Sequence, residues 1–252
     1  MERWRGKVAI VTGTSSGIGA AIATDLVKHG LQVVGLARRV DRTKELASEL
    51  KNEAGILLPL KCDISKEEEI LSAFVYVNEE LGGADILVNN AGVLNESLLG
   101  EGLTEEWSSM LNTNILGLSI CTREAIKSMK QRNIDQGHIV HINSIAGHYD
   151  LDKPGYHMYS ATKHAVTALT EGLRKELVSQ GSKIRVTSIS PGLVNTEMIR
   201  VGMKIEDVEE LLKNKPCLKP SDVSDVVMYV LGSPSHVQIV EVTMKSVGEI
   251  NL

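Results

Sequence analysis

Aromatic side chains are nearly missing from this 252-residue chain: one Phe, two Trp and five Tyr make up 3 % of it. A chain of this length buries a sizeable core, so that core must be mostly aliphatic. Cysteine is scarce too. Cys62, Cys121 and Cys217 are odd in number and widely spaced. They fit free thiols in a reducing compartment better than a disulfide framework or a zinc site. No uninterrupted apolar stretch approaches the ~18 residues that a membrane span needs. A basic tail and an aromatic-interleaved basic patch are both lacking, and formal net charge is −5, so nucleic acid is not an expected partner. The first strand-like run starts by Lys7, which leaves no room for a secretory leader. The expected location is cytoplasmic.

What is present is alternation. KVAIVTG (7–13), QVVGLA (32–37), ILLPLKCD (56–63), DILVNNAG (85–92), HIVHINS (138–144), KIRVTSISPG (183–192) and VQIVEVTM (237–244) read as strands. Between them lie helical patterns: GIGAAIATDLVKHG (17–30), RTKELASELKNEAG (42–55), KEEEILSAFVYVNEEL with acids at its start, a long one over 104–131, one over 158–180, and SDVSDVVMYVLGS with Ser221 as its N-cap. Strands alternating with helices predict βαβ units and a parallel sheet covered on both faces. Right-handed crossovers make it doubly wound, an α/β Rossmann-like domain of about seven strands over residues 1–252. Ligands then bind at the carboxyl ends of the strands, and the informative motifs fall there.

The first strand ends in TGTSSGIG (12–19), where Gly13, Gly17 and Gly19 form a G-x3-G-x-G turn. A turn without side chains lets backbone N–H groups and the positive end of the next helix approach a pyrophosphate. The bland reading is a tight turn with close helix–strand packing. No G-K-[ST] follows, which excludes a nucleotide-triphosphatase loop. The end of the second strand chooses the cofactor. An acid there accepts from the ribose 2′-hydroxyl of NAD; this chain has Ala37 followed by Arg38 and Arg39. Guanidiniums grip a 2′-phosphate with paired hydrogen bonds, so NADP is the expected cofactor, the alternative being two solvated arginines at a helix start.

Further motifs follow in order: NNAG (89–92) closing the fourth strand, Asn114 in NTNILG, Ser144 closing the fifth strand, and Tyr159 with Lys163 in YSATK. Tyr149 and Lys153 repeat the Y-x3-K spacing, but Pro154 and Gly155 follow at once and break any helix there. With TGTSSGIG, these motifs make the chain resemble the short-chain dehydrogenase/reductase family from about residue 7 to about residue 245. LSICTREAIKSM, YSATKHAVTALTEGLRKEL and CLKPSDV are similar to the branch holding dehydrogenase/reductase member 11 and insect farnesol dehydrogenases.

Tyrosine and lysine titrate near 10 and 10.4 when free. A cationic Lys163 one helical turn from Tyr159 is expected to favour the phenolate. A fall of three units would correspond to about 4 kcal/mol. Tyr159 then acts as general acid for carbonyl reduction and general base for alcohol oxidation. The resemblance implies that Lys163 also holds the nicotinamide ribose, that Ser144 hydrogen-bonds the reacting oxygen, and that Asn114 anchors a water that relays protons. It also implies cofactor contacts from Gly13, Ser15, Ser16, Gly17, Ile18 and Gly19, from Asp63 and Ile64 at the adenine, and from Asn90, Ala91 and Gly92 around the adenosine ribose. Pro191, Gly192, Val194 and Thr196 of PGLVNT would lie against the nicotinamide amide; a β-turn with a helix cap at Thr196 is the plainer reading.

Residues 195–217 carry Met198, Ile199, Val201, Met203, Ile205, Leu211 and Leu212 among charges. They read as an amphipathic substrate lid or as a plain surface helix. The segment 145–157 is the expected opposite wall, with His148, Tyr156 and His157 as polar candidates, each lone histidine being more often structural. His138 and His141, three apart on a strand, face opposite ways and make no metal site; no metal is expected. Methionine and aliphatic walls suit a small apolar alcohol or carbonyl: an isoprenoid such as farnesol or farnesal, retinal, or a steroid. The 104–131 and 158–180 helices have apolar or small residues on more than one face, Ile115, Leu118, Ile120 and Ala125, and Ala161, Ala165, Ala168 and Leu169. A homodimer or homotetramer is therefore expected. A non-catalytic dinucleotide sensor on the same fold is the competing class; loss of Tyr159 or Lys163 would favour it, and both are present.

Overall fold

A computed structural model describes residues 1–151, 153–203 and 208–250. The apolar runs become β1 (Val8–Thr12), β2 (Gln32–Ala37), β3 (Ile56–Lys61), β4 (Ile86–Asn89), β5 (His138–Ile142), β6 (Arg185–Pro191) and β7 (Glu241–Met244). All pair in parallel, in the order β3-β2-β1-β4-β5-β6-β7. Strand order reverses between β1 and β4, and this opens a crevice at the carboxyl end of the sheet. Pro59 lies inside β3, an edge strand, where a missing backbone N–H is tolerated.

The helices are α1 (Gly17–Lys28), α2 (Val40–Glu49), α3 (Glu67–Leu81), α4 (Thr104–Leu111), α5 (Leu118–Gln131), α6 (His157–Ser179), α7 (Glu197–Gly202), α8 (Val208–Asn214) and α9 (Pro220–Gly232). Side-chain alternation in β1 shows how both sheet faces are covered. Ala9 and Val11 pack with Ile22, Leu26 and Val27 of α1 and with Val223, Val227 and Val230 of α9. Val8 and Ile10 pack oppositely, with Ile70, Phe74 and Val77 of α3 and Ile120, Cys121 and Ala125 of α5. Each such aliphatic side chain, fully buried, contributes roughly 1.5–3 kcal/mol. Buried Trp4 closes the first face, its Nε1–H donating to the Leu231 carbonyl at 2.9 Å. Outside these cores, Leu116 and Leu169 remain exposed.

Two local expectations are corrected. The pattern over 104–131 is not one regular helix: a π turn, Asn112–Gly117, joins α4 to α5. It sits where Gly117 approaches the chain so closely that a Cβ there would lie 2.2 Å from the Ile64 carbonyl oxygen. Ser221 is not the N-cap of α9. Lys219 holds that place and Pro220 starts the helix, because proline has its helical φ preset and no N–H to leave unpaired. Asp222 then accepts from the Lys219 N–H at 2.7 Å. Among the described residues no helix is long and apolar enough to cross a membrane.

Candidate active site

The carboxyl ends of β1, β2, β4, β5 and β6 open into a cleft of about 550 Å³. Arg38 and Arg39 line one end, the glycine turn the middle, and Ser144, Tyr159 and Lys163 the other end. Every catalytic and cofactor-contact residue expected from sequence lines this cleft except Gly19 and Asn114.

Gly19 shapes the turn from behind. A Cβ on it would meet the Gly13 carbonyl oxygen at 2.2 Å and Asn90 Nδ2 at 2.4 Å. Gly13 and Gly17 take φ of +77° and +57°, in the left-handed region that favours glycine. Asn90 holds the turn: its Nδ2 donates to the Thr12 carbonyl at 2.8 Å, and its N–H, like that of Ala91, donates to Thr12 Oγ1. Its side-chain amide nitrogen is therefore committed to the turn. Asp63 is also partly committed, its Oδ1 accepting from the Ser65 N–H and hydroxyl.

Asn114 stands one layer behind the cleft, on the π turn. Its Oδ1 accepts from the Val93 N–H at 2.8 Å, and its Nδ2 donates to the Val93 carbonyl at 2.9 Å and to Thr162 Oγ1 at 3.1 Å. The amide thus ties the segment after β4 to α6. π turns break the regular helical bonding and recur at functional sites.

At the far end, Ser144 lies two residues past β5 and caps a short turn, Ile145–Gly147, its Oγ accepting from the Ala146 N–H at 3.1 Å. It also hydrogen-bonds the Tyr159 phenol. Tyr159 and Lys163 lie on successive turns of α6, with the Lys163 Nζ 5.7 Å from the Tyr159 ring centroid. The expected electrostatics are reversed. Burial pushes the phenol up to about 12, and only the Ser144 bond opposes that. Burial also pulls the Lys163 ammonium down to about 8. The ammonium donates to the Ile142 carbonyl at 3.1 Å and is aimed at that oxygen, so desolvation outweighs charge attraction for both groups.

Among the described residues, the wall expected from 145–157 does not line the cleft. His148 Nε2 lies 2.6 Å from Glu241 Oε1. Buried Tyr156 donates to Glu96 Oε2 at 2.7 Å, and His157 faces Asp150 on the surface. Tyr149 is half exposed, with Lys245 rather than Lys153 over its ring. Met198, Ile199 and Val201 of α7 supply an apolar wall instead, and Met198 and Ile199 pack on Leu94, Ala146, Tyr156 and Met203. Ile205 lies outside the described residues.

Arg42 and Glu249 are among the residues that escaped the sequence reading. Arg42, one turn beyond Arg39, joins it in an ion pair with Glu197. Glu249 accepts from the Leu193 N–H at 2.9 Å and fills the space over Gly192, where a Cβ would lie 2.2 Å from its Oε1. The i,i+3 arginines were a visible signal for the first; nothing in the sequence marks the second.

A family model described as short chain dehydrogenase matches residues 7–204. The chain belongs to the short-chain dehydrogenase family. It is 51 % identical over 251 residues to farnesol dehydrogenase of Aedes aegypti, covering 99 % of both chains. To human dehydrogenase/reductase SDR family member 11 it is 49 % identical over 257 residues, covering 99 % of this chain and 98 % of that one. Among solved structures it resembles the closed form of serine dehydrogenase complexed with NADP+, with TM-score 0.85 and 34 % identity over 97 % of this chain and 98 % of that one. The seven-stranded sheet is the short-chain dehydrogenase fold, and the protein is an oxidoreductase of that family.

Proposed function

We propose that this protein interconverts an apolar alcohol and its carbonyl with NADP(H), and that farnesol/farnesal is the favoured pair. The carrying observation is the convergence of Ser144, Tyr159 and Lys163 at one end of a cleft with arginines at the other end and an apolar wall from α7. The farnesol dehydrogenase relative and the NADP+-bound structural neighbour support this choice of substrate and cofactor.

The cleft residues suit a phosphorylated dinucleotide. The glycine turn with left-handed Gly13 and Gly17 and the α1 N-terminus suit a pyrophosphate, and the guanidiniums of Arg38, Arg39 and Arg42 suit an additional phosphate. The bound nicotinamide supplies or accepts the hydride. Ser144 holds the reacting oxygen by hydrogen bond. Tyr159, protonated at neutral pH because burial holds it near 12, gives its proton to the carbonyl oxygen as the carbon is reduced, and takes one back in the reverse direction. Lys163, pulled down to about 8, titrates close to neutral pH beside that phenol. Asn114 keeps the Val93 segment in place, and Met198 and Ile199 exclude water from the reacting carbon. The described helices of 195–217, α7 and α8, act as the substrate lid.

The test is a coenzyme-consumption screen over farnesal, retinal, ketosteroids and small diketones, with NADPH and NADH in parallel. Farnesal should be the best substrate and NADPH the better coenzyme. Tyr159→Phe should lower kcat by about 10²–10⁴ with cofactor affinity unchanged. Equal rates with NADH, or turnover retained by Tyr159→Phe, would overturn the corresponding part of the reading.

A further inference from the structure

Glu197 is the first residue of α7 and lines the cleft at its arginine end. Its carboxylate is held as a phosphate would be. Arg39 donates through Nη1 to Oε1 at 3.0 Å and through Nη2 to Oε2 at 2.6 Å. Arg42 Nη1 donates to the two oxygens at 3.0 and 3.1 Å. Arg39 Nη2 also reaches the hydroxyls of Ser15 and Ser16 on the glycine turn, at 3.4 Å each. Two guanidiniums thus converge on one anion, and one of them is tied to two hydroxyls of the glycine turn. They come from the β1–α1 turn and the start of α2, while the anion comes from the far side of the cleft.

We infer that Glu197 competes with the ribose 2′-phosphate of NADP(H) for Arg39 and Arg42, so that 2′-phosphate binding breaks the bond fastening α7 across the cleft. The inference rests on the reading of the cleft as an NADP site. Two anions cannot share one guanidinium fork without like-charge repulsion. A cofactor with a free 2′-hydroxyl displaces nothing. Glu197 therefore weakens NADP(H) selectively and leaves NAD(H) untouched, and it links the cofactor's 2′ position to the helix carrying Met198, Ile199 and Val201. The carboxylate is held down at about 2 by the Arg39 and Arg42 hydrogen bonds, so it competes as an anion throughout the neutral range. The side chains of Arg39, Arg42 and Glu197 are 49 %, 48 % and 32 % exposed. Solvent screening makes the expected effect modest, about five- to thirty-fold for a bidentate fork plus a second arginine.

Calorimetric titration of the wild type and of Glu197→Gln with NADP+, NAD+, 2′-AMP and 5′-AMP tests this without any turnover. Glu197→Gln should bind NADP+ and 2′-AMP about five- to thirty-fold tighter and NAD+ and 5′-AMP equally well. In the wild type, NADP+ and 2′-AMP should raise hydrogen exchange across 197–202, and NAD+ and 5′-AMP should not. Unchanged NADP+ affinity in the variant overturns the competition while leaving the NADP reading intact. Weaker NADP+ binding by the variant also overturns it, since Glu197 would then be organising the arginines. Equal gains for both dinucleotides overturn it as a general charge effect. Failure of both proteins to bind any 2′-phosphate removes the competition and the NADP reading together.

Discussion

Replacing Lys163 with methionine isolates the largest electrostatic cost in the site. The Lys163 ammonium is buried and loses most of its hydration, which lowers its pKa from 10.5 to about 8. Two and a half pH units at about 1.4 kcal/mol each come to about 3 kcal/mol. The sign follows from proton counting. Between about pH 8 and 10.5 the unfolded chain carries a proton on this lysine that the native protein has released, so stability rises with pH across that window. Below 8 the whole cost is present; near 10.5 it is gone. Lys163→Met keeps the side-chain length and removes the charge, and it leaves the Ile142 carbonyl without its donor. That loss is roughly 1–3 kcal/mol and does not depend on pH, so the absolute stabilities nearly cancel and the slope is the signal. Urea unfolding of both proteins, followed by far-ultraviolet circular dichroism from neutral pH to 10.5, gives a difference curve from which other titrating groups drop out. Wild type minus variant should climb by about 3 kcal/mol, mostly above pH 8. A flat difference would refute the claim that desolvation controls Lys163, and would restore the sequence expectation of a lysine kept cationic beside a phenolate.

Two further substitutions test how the cleft is built. Gly19→Ala places a methyl 2.2 Å from the Gly13 carbonyl oxygen and 2.4 Å from Asn90 Nδ2; it should cost about 1–3 kcal/mol and weaken dinucleotide binding by more than the stability loss explains. Thermal unfolding with a cofactor titration checks this, and unchanged binding would dissociate the turn from the cofactor. Asn114→Asp keeps the shape but replaces the amide that donates to Val93 and Thr162, at a cost of about 2–4 kcal/mol at neutral pH. An acid facing a carbonyl has a raised native pKa, so the variant's stability is retained below the free carboxyl pKa and lost as pH rises through the native one; a penalty that does not shrink in acid would mean that the amide's donors are unimportant.

The sheet was legible because its causes are local. Apolar runs ending on Gly13, Asp63, Gly92, Ser144 and Gly192 fixed both strand identity and the place where the chain turns toward the cleft. The π turn was not legible, because its causes are contacts with distant residues, Gly117 with Ile64 and Asn114 with Val93, while the apolar spacing runs through it unbroken. The direction of His148, Tyr156 and His157 was not legible for a similar reason: spacing places a residue on a segment, but its partners Glu241, Glu96 and Asp150 decide which way it points. The Tyr159–Lys163 pair shows the same limit at the chemistry itself. Spacing gave the proximity of charge and phenol, which is a property of one helix. It could not give their desolvation, which depends on β5, Ser144 and the Ile142 carbonyl closing around them. Since burial raises the phenol to about 12 and lowers the lysine to about 8, the two nearly equal free values move apart, and the proton stays on the phenol more firmly than their free values imply. The burial that defeats the expected phenolate therefore leaves a neutral phenol, able to give its proton, next to a lysine that titrates within reach of neutral pH.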